Sequence, residues 1–346
     1  KAKRFLRALT RKKGEGCNGP SEKAMTAGFR HVYGPVPSRR LGRSLGIDLV
    51  PYKTCTYDCV YCHLGRTTNK TVSRADYVEI EKVLEEMDRK LRAGPAPDYI
   101  SLAGSGEPTL NLRIGDLIGR IKERTRIPVA VFTNGSLLWK PEVRDALMEA
   151  DLVIPSLDAG NDSLFHYVNR PHEDIAFEMM VRGLAEFTEK FSKSVWLEVF
   201  LLAGITGIPS ELEKISALVK QIHPERVQLN TVCRPPAEDY ACALSREQML
   251  AFRSAFPGEA DIIACEEKSR SQPAASLLSR GADILELLGR RPCTIEDVER
   301  GLGIDIRAAL KHLNIMVASG EVKTVVTGGQ RFYLATRAHQ EGGVVK

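Results

Sequence analysis

The chain lacks any long apolar run. A membrane-spanning helix needs roughly 18 or more uninterrupted apolar residues, and the best candidate, Val195 to Ile205, is cut by Glu198. No apolar stretch follows the basic start, so no secretory signal is expected and a cytoplasmic location is. Internal repeats and low-complexity tracts are missing as well, which excludes solenoids and arrays. Cysteine is scarce: 8 in 346 residues are too few for a disulfide scaffold. With 43% hydrophobic and 27% charged residues the composition is that of a globular chain, not of a disordered tail. The net charge of +5 is concentrated at the start, where seven basic residues and no acid stand within residues 1–13, so the remainder carries −2. Such an arm is either a solvated tail or a weak nucleic-acid contact.

From about Leu45 short apolar runs alternate with amphipathic stretches, the pattern of parallel strands joined by helices. Strands are expected at Gly46–Val50, Tyr99–Ala103, Val129–Phe132, Leu152–Ser156, Val195–Leu202 and Arg226–Asn230. Helices are expected at Tyr77–Ala93, Leu112–Arg124, Lys140–Ala150, Ala176–Phe191 and Pro209–Gln221. Polar and glycine-rich residues follow nearly every strand, which suits a partial (β/α)6 barrel better than a doubly wound sheet. After a polar stretch at Ser269–Pro273 come Ala282–Leu288, Thr294–Gly301, Asp305–Ser319, and two strands about Gly328-Gly329. Three helices and a hairpin describe a winged helix. The expected organisation is an α/β chain with a basic arm at 1–30, the barrel at 31–268, the winged helix at 275–335 and a tail at 336–346.

Three of the eight cysteines, Cys55, Cys59 and Cys62, fall within the run Thr54 to His63. A structural zinc site normally takes four ligands in two separated pairs, and no second pair lies nearby. Three thiolates on one loop suit a 4Fe-4S cluster with one iron left open. The competing reading is a zinc-stabilised winged-helix regulator without catalysis. The spacing Cys-x3-Cys-x2-Cys, with the aromatic Tyr61 before the last cysteine, closely resembles the signature of radical S-adenosylmethionine (SAM) enzymes. The resemblance implies a 4Fe-4S cluster on Cys55, Cys59 and Cys62 whose open iron is chelated by SAM. It implies reductive cleavage of SAM to a 5′-deoxyadenosyl radical that abstracts hydrogen from substrate, and an electron donor such as flavodoxin or ferredoxin.

Further segments carry the resemblance. Gly104-Ser105-Gly106-Glu107 is similar to the family's Gly-Gly-Glu loop for the cofactor amino group, with Ser105 where glycine is common. Thr133-Asn134-Gly135 recurs in the family, although it also reads as an ordinary turn. Ser156 and Asp158 share one face by the period of two and are candidates for the ribose hydroxyls. Tyr61 is expected near the adenine. Glu198 interrupts an apolar strand and must point into a polar centre or pair with a charge. Asn230 closes the sixth strand as a cofactor or substrate contact.

The segment Gly34 to Asp48, together with Arg234-Pro235-Pro236-Ala237-Glu238, resembles a narrower group of iron-sulfur oxidoreductases allied to the wybutosine-synthesising enzymes of tRNA. That points to a macromolecular substrate, tRNA or peptide. The archaeal members carry a second cluster on added N-terminal cysteines, where this chain offers only Cys17. Arg39, Arg40 and Arg43 either clamp an anionic substrate or form a solvated arm. Residues 281–346 hold 9 basic and 8 acidic residues, too balanced for a typical DNA reader. On the third helix only Arg307, Lys311, His312 and Asn314 are plausible contacts.

Overall fold

A computed structural model describes residues 31–258, 260–263, 281–304 and 306–336. The basic arm, Cys17, Cys265, the 269–273 junction, the side chain of Arg307 and the tail from 337 lie outside the described residues.

The sheet begins with an antiparallel hairpin, β1 (Val32–Ser38) on β2 (Gly42–Ile47). A two-residue pair, β3 (Thr54–Cys55) and β4 (Asn69–Lys70), then brackets the cysteine loop. Alternation follows: α1 (Ile80–Ala93), β5 (Tyr99–Leu102), α2 (Ile114–Arg124), β6 (Val129–Thr133), α3 (Pro141–Leu147) and β7 (Leu152–Pro155). It continues through α4 (Asp162–Val168), α5 (Phe177–Lys190), β8 (Ser194–Phe200), α6 (Pro209–Ile222), β9 (Arg226–Asn230), α7 (Arg246–Phe252) and β10 (Asp261–Ile262). The strand order is β1-β2-β5-β6-β7-β8-β9-β10, parallel from β2 onward. A doubly wound sheet reverses its order at a switch point. This one does not, so it is a singly wound, partial parallel sheet that brings all its strand-to-helix loops to one end.

Local sequence explains the elements. On α1, Ile80, Val83, Leu84 and Met87 recur at helical spacing and are buried against the sheet. Strands such as β6 and β7 are apolar and buried along nearly their whole length, as expected where helices cover a parallel sheet. Glu198 is the polar break in β8, and it pairs with Arg40, which reaches in from the β1–β2 turn. Two strands have no apolar signature. β1 contains Pro35 and Pro37, which an edge strand tolerates, and β10 has only two residues. The first parallel strand lies at Gly42–Ile47, four residues earlier than its apolar run suggests.

The C-terminal module contains α8 (Gly281–Arg290), α9 (Ile295–Leu302), α10 (Ile306–Ala318) and the hairpin β11 (Val322–Thr327) and β12 (Gln330–Ala335). It has its own core, including Ile284, Leu288, Val298, Leu313, Val322 and Tyr333, on which Val36 of β1 also packs. Thr294 caps α9 as its spacing to Asp297 predicts: Asp297 N donates to Thr294 Oγ1 at 3.2 Å and Thr294 N to Asp297 Oδ2 at 3.1 Å. Thr294→Ala should therefore lower the stability of the module by about 1 kcal/mol, read by thermal unfolding. Among the described residues no helix is long and apolar enough to cross a membrane.

Candidate active site

The cysteine loop is stapled at both ends by backbone. Asp58 N and Val60 N donate to Asn169 O and Val168 O at 3.0 and 2.9 Å, at the C-terminus of α4, and Thr71 N donates to Cys55 O at 3.0 Å. Inside the loop, turns join Cys62 N to Cys59 O (3.1 Å) and Gly65 N to Cys62 O (3.0 Å). Each sulfur meets an N–H donor from a separate segment. Asn134 Nδ2 lies 3.6 Å from Cys55 Sγ, Asn169 Nδ2 lies 3.6 Å from Cys59 Sγ, and Lys53 Nζ lies 3.1 Å from Cys62 Sγ. Donors of this kind stabilise sulfur as thiolate and tune a metal held by it. Burial pushes the Cys55 thiol up to about 12, with the Glu107 charge adding to it, and burial followed by Asp158 pushes Cys59 well above the usual thiol range. Metal uptake at these sulfurs must therefore release protons. Among the described residues no three His, Cys, Asp or Glu side chains are gathered tightly enough to grip a single ion.

The Gly104–Glu107 loop lies directly against this one. Lys53, whose backbone is left-handed (φ 58°), donates its N–H to Ser105 O at 2.7 Å, and Glu107 N donates to Thr54 O at 3.1 Å. A Cβ on Gly106 would sit 1.8 Å from Thr54 O, so the contact requires glycine. Glu107 is 1% exposed and accepts from Thr109 N (3.0 Å), Thr109 Oγ1 (2.5 Å), Thr133 Oγ1 (2.6 Å) and Asn134 N (2.7 Å). Burial raises its pKa while these donors pull it back. Glu107 thus ties the β5 loop to the end of β6. Asn134 passes the tie on to the cysteine loop, since its Nδ2 donates to Thr56 Oγ1 at 2.7 Å as well as facing Cys55. The Thr133-Asn134-Gly135 segment is also a turn, with Gly135 at φ 75°.

Asp158 is buried, and its carboxylate accepts from the Tyr61 hydroxyl, from Asn169 Nδ2 (2.7 Å) and from Phe200 N (3.1 Å). The Tyr61 ring stacks on Phe200 with centroids 3.9 Å apart. Asp158 and Phe200 therefore fix the aromatic that precedes Cys62. Ser156 bridges to Glu198 across β7 and β8, and the Glu198 carboxylate is taken by Arg40. Asn230 Oδ1 accepts from Thr231 N at 3.0 Å. Tyr61, Gly104, Ser105, Gly106, Glu107, Asn134 and Asp158 are thus knitted to the cysteine loop, and Ser156, Glu198 and Asn230 have other partners. Lys53 and Asn169 escaped the sequence reading. Lys53 had a signal, since it stands two residues before the first cysteine, whereas Asn169 is 110 residues from Cys59 and has none.

The three arginines of the β1–β2 hairpin do not act together. Arg40 is enclosed, its guanidinium 5.6 Å over Phe132, and burial followed by Arg39 lowers its pKa to about 10. Arg39 donates to Ile263 O (2.9 Å) and Cys233 Sγ (3.3 Å), while Arg43 is exposed and its backbone N–H donates to Asp98. Arg39 instead adds its charge to those of Arg234, Arg291 and Lys53 around His63, and Arg234 is also 3.8 Å from Asp297. Arg234 donates to Pro292 O at 3.0 Å, and Glu238 of the same segment donates its N–H to Val60 O at 2.9 Å. His63, next to Cys62, has its pKa lowered by the crowding of protein around it and then by the charges of Arg234, Arg291, Lys53 and Arg39. Among the described residues the buried Arg291 Nε meets no hydrogen-bond partner.

Residues 49–219, which hold the cysteines and both adjoining loops, match the Radical SAM superfamily. A protein of Brachyspira hyodysenteriae named GTPase Obg is 40% identical over 308 residues, covering 88% of this chain and 45% of its own length. The chain thus spans less than half of that relative, and it contains no G-x4-G-K-[S/T] phosphate loop. A UPF0026 protein of Helicobacter pylori is 34% identical over 310 residues, covering 88% of this chain and 97% of its own. Among solved structures, a radical SAM methyltransferase from Sphaerobacter thermophilus aligns over 64% of this chain and 66% of that one, at 17% identity and a TM-score of 0.48.

Proposed function

Because the chain belongs to the UPF0026 family and carries a radical SAM domain over residues 49–219, we propose that it is an enzyme abstracting hydrogen from an anionic, macromolecular substrate. Its cofactors are a 4Fe-4S cluster and SAM. In this reading Cys55, Cys59 and Cys62 hold the cluster, and SAM lies over Gly104–Glu107 beside Tyr61, Ser156 and Asp158. Bound there, cluster and SAM together supply one-electron chemistry strong enough to take hydrogen from carbon. The protein's own work is to orient the pair. Lys53, Asn134 and Asn169 hold the sulfurs, and the Glu107 and Asp158 networks keep the loops in register.

The observation that supports this reading best is the donor set: three sulfurs faced by N–H groups from three segments, on a loop packed against the Gly104–Glu107 turn. Anaerobic reconstitution with iron and sulfide tests it, followed by absorbance and electron paramagnetic resonance. The expected result is a reducible cluster and, with dithionite and SAM, release of 5′-deoxyadenosine and methionine. Uptake of zinc with refusal of iron and sulfide would instead favour a zinc-stabilised winged-helix regulator.

The cationic groups around His63 favour an anionic substrate. The charges of Arg39, Arg234 and Arg291, from three segments, act at His63 next to Cys62, and arginine suits phosphate recognition. A tRNA fits that charge better than a peptide and agrees with the likeness to wybutosine-type enzymes. The winged helix adds apolar surface rather than charge, with Ile315 57% and Val326 65% exposed. Bulk tRNA should therefore bind at low salt and weaken steeply as salt rises. Arg39→Met and Arg234→Met together should flatten that salt dependence, read by filter binding at two ionic strengths. Absence of binding at low salt would remove RNA from consideration.

A further inference from the structure

The domain that carries the cysteines is not self-contained. Asp48, just past β2 and 4% exposed, accepts from Ser105 N at 3.0 Å through Oδ1 and from Ser105 Oγ at 2.5 Å through Oδ2. The same Oδ2 pairs with Arg290, the last residue of α8 in the C-terminal module. Gly104, at φ 138°, makes the approach feasible, since a Cβ there would stand 2.7 Å from the Asp48 carboxyl. The Arg290 guanidinium lies 5.0 Å over the ring of Tyr33, which covers Gly46. Ser105 is held on its other side by Lys53 N, at the entrance to the cysteine loop.

Burial raises the pKa of Asp48, and Arg290 is the largest force opposing that rise. A buried carboxylate that loses its counter-charge takes up a proton or moves toward water. Either response loosens its double hold on Ser105. The hydroxyl half of that hold exists only because serine stands where the family's loop commonly has glycine.

We propose that Arg290 is a positioning residue for the Gly104–Glu107 loop, so that the C-terminal module, through Asp48 and Ser105, sets the loop's geometry for SAM. This rests on the reading that the loop receives SAM. The module then contributes to cofactor binding as well as to any recruitment of substrate.

The test uses the full chain, reconstituted anaerobically, with SAM affinity measured by equilibrium dialysis and the reduced cluster followed by electron paramagnetic resonance. Arg290→Met should weaken SAM binding by about tenfold or more, the scale of a lost charged hydrogen bond. Iron content and the SAM-free spectrum should stay unchanged, and Arg290→Lys should recover part of the affinity. In an Asp48→Asn background, which needs no counter-charge, Arg290→Met should cost nothing further. Thr294→Ala, which loosens the module at the start of α9 without touching Arg290 or Asp48, should leave SAM affinity at the wild-type value. Wild-type affinity in Arg290→Met overturns the proposal, as do additive effects with Asp48→Asn or an equal loss in Thr294→Ala. A wild-type chain that holds its cluster but binds no SAM overturns the underlying reading instead. Should Arg290→Met fail to fold, Arg290→Gln takes its place: a loss of SAM affinity at unchanged iron content supports the proposal, and wild-type affinity overturns it.

Discussion

With Cys55, Cys59 and Cys62 all replaced by alanine, the chain should assemble no cluster and release 5′-deoxyadenosine from SAM only at background level. The three sulfurs stand on one loop, each at the end of an N–H donor, and among the described residues the other cysteines, Cys233, Cys242 and Cys293, lie elsewhere. The fold should survive, because the loop is fixed by backbone bonds that alanine leaves intact: Asp58 to Asn169, Val60 to Val168 and Thr71 to Cys55. The exposed cost is local. Lys53 is 3% exposed and loses the sulfur that receives its ammonium group, a penalty of about 1–3 kcal/mol for an unsatisfied buried donor. Iron and sulfide analysis, the reduced-state spectrum and chromatography of the nucleoside product read the result. Cleavage persisting above background would move the ligand assignment to other cysteines.

The sequence disclosed what is local and concealed what is long-range. The parallel strands and their helices were legible because each buries a contiguous apolar run or a helical stripe. β1 was not, since its two prolines and glycine leave it no apolar run, and only an edge position tolerates them. The cysteines were legible because they crowd within eight residues. Glu198 announced its need of a partner, but nothing local named Arg40, which stands 158 positions earlier in the chain. Asp48 and Asn169 are polar residues without a motif, and their roles arise only when partners 57 and 110 residues away are folded against them. The C-terminal elements were legible one by one, whereas the pairing of Arg290 at the end of α8 with Asp48 joins residues 242 positions apart.

Gly106→Ala should disable the site more completely than any other single glycine substitution in the two loops. An alanine Cβ would stand 1.8 Å from Thr54 O, 2.8 Å from Thr54 C and 2.9 Å from Val50 Cγ2. The nearest atoms belong to backbone and cannot rotate away. The backbone of Gly106 lies outside the left-handed region, so the effect is steric and not conformational. Relief requires the two loops to part, which stretches the Glu107 N to Thr54 O bond of 3.1 Å and shifts the residue preceding Cys55. Overpacking of this kind costs about 1–3 kcal/mol or more, and it also spoils the placement of cofactor beside cluster. Gly65→Ala is the control. Its φ of 82° strains alanine by about 1 kcal/mol, but nothing lies within 4 Å of the added carbon. Thermal unfolding, iron loading and SAM dialysis should therefore show a modest stability loss alone for Gly65→Ala and a loss of all three properties for Gly106→Ala. Wild-type melting and wild-type SAM affinity in Gly106→Ala would mean that the loops are not packed as described.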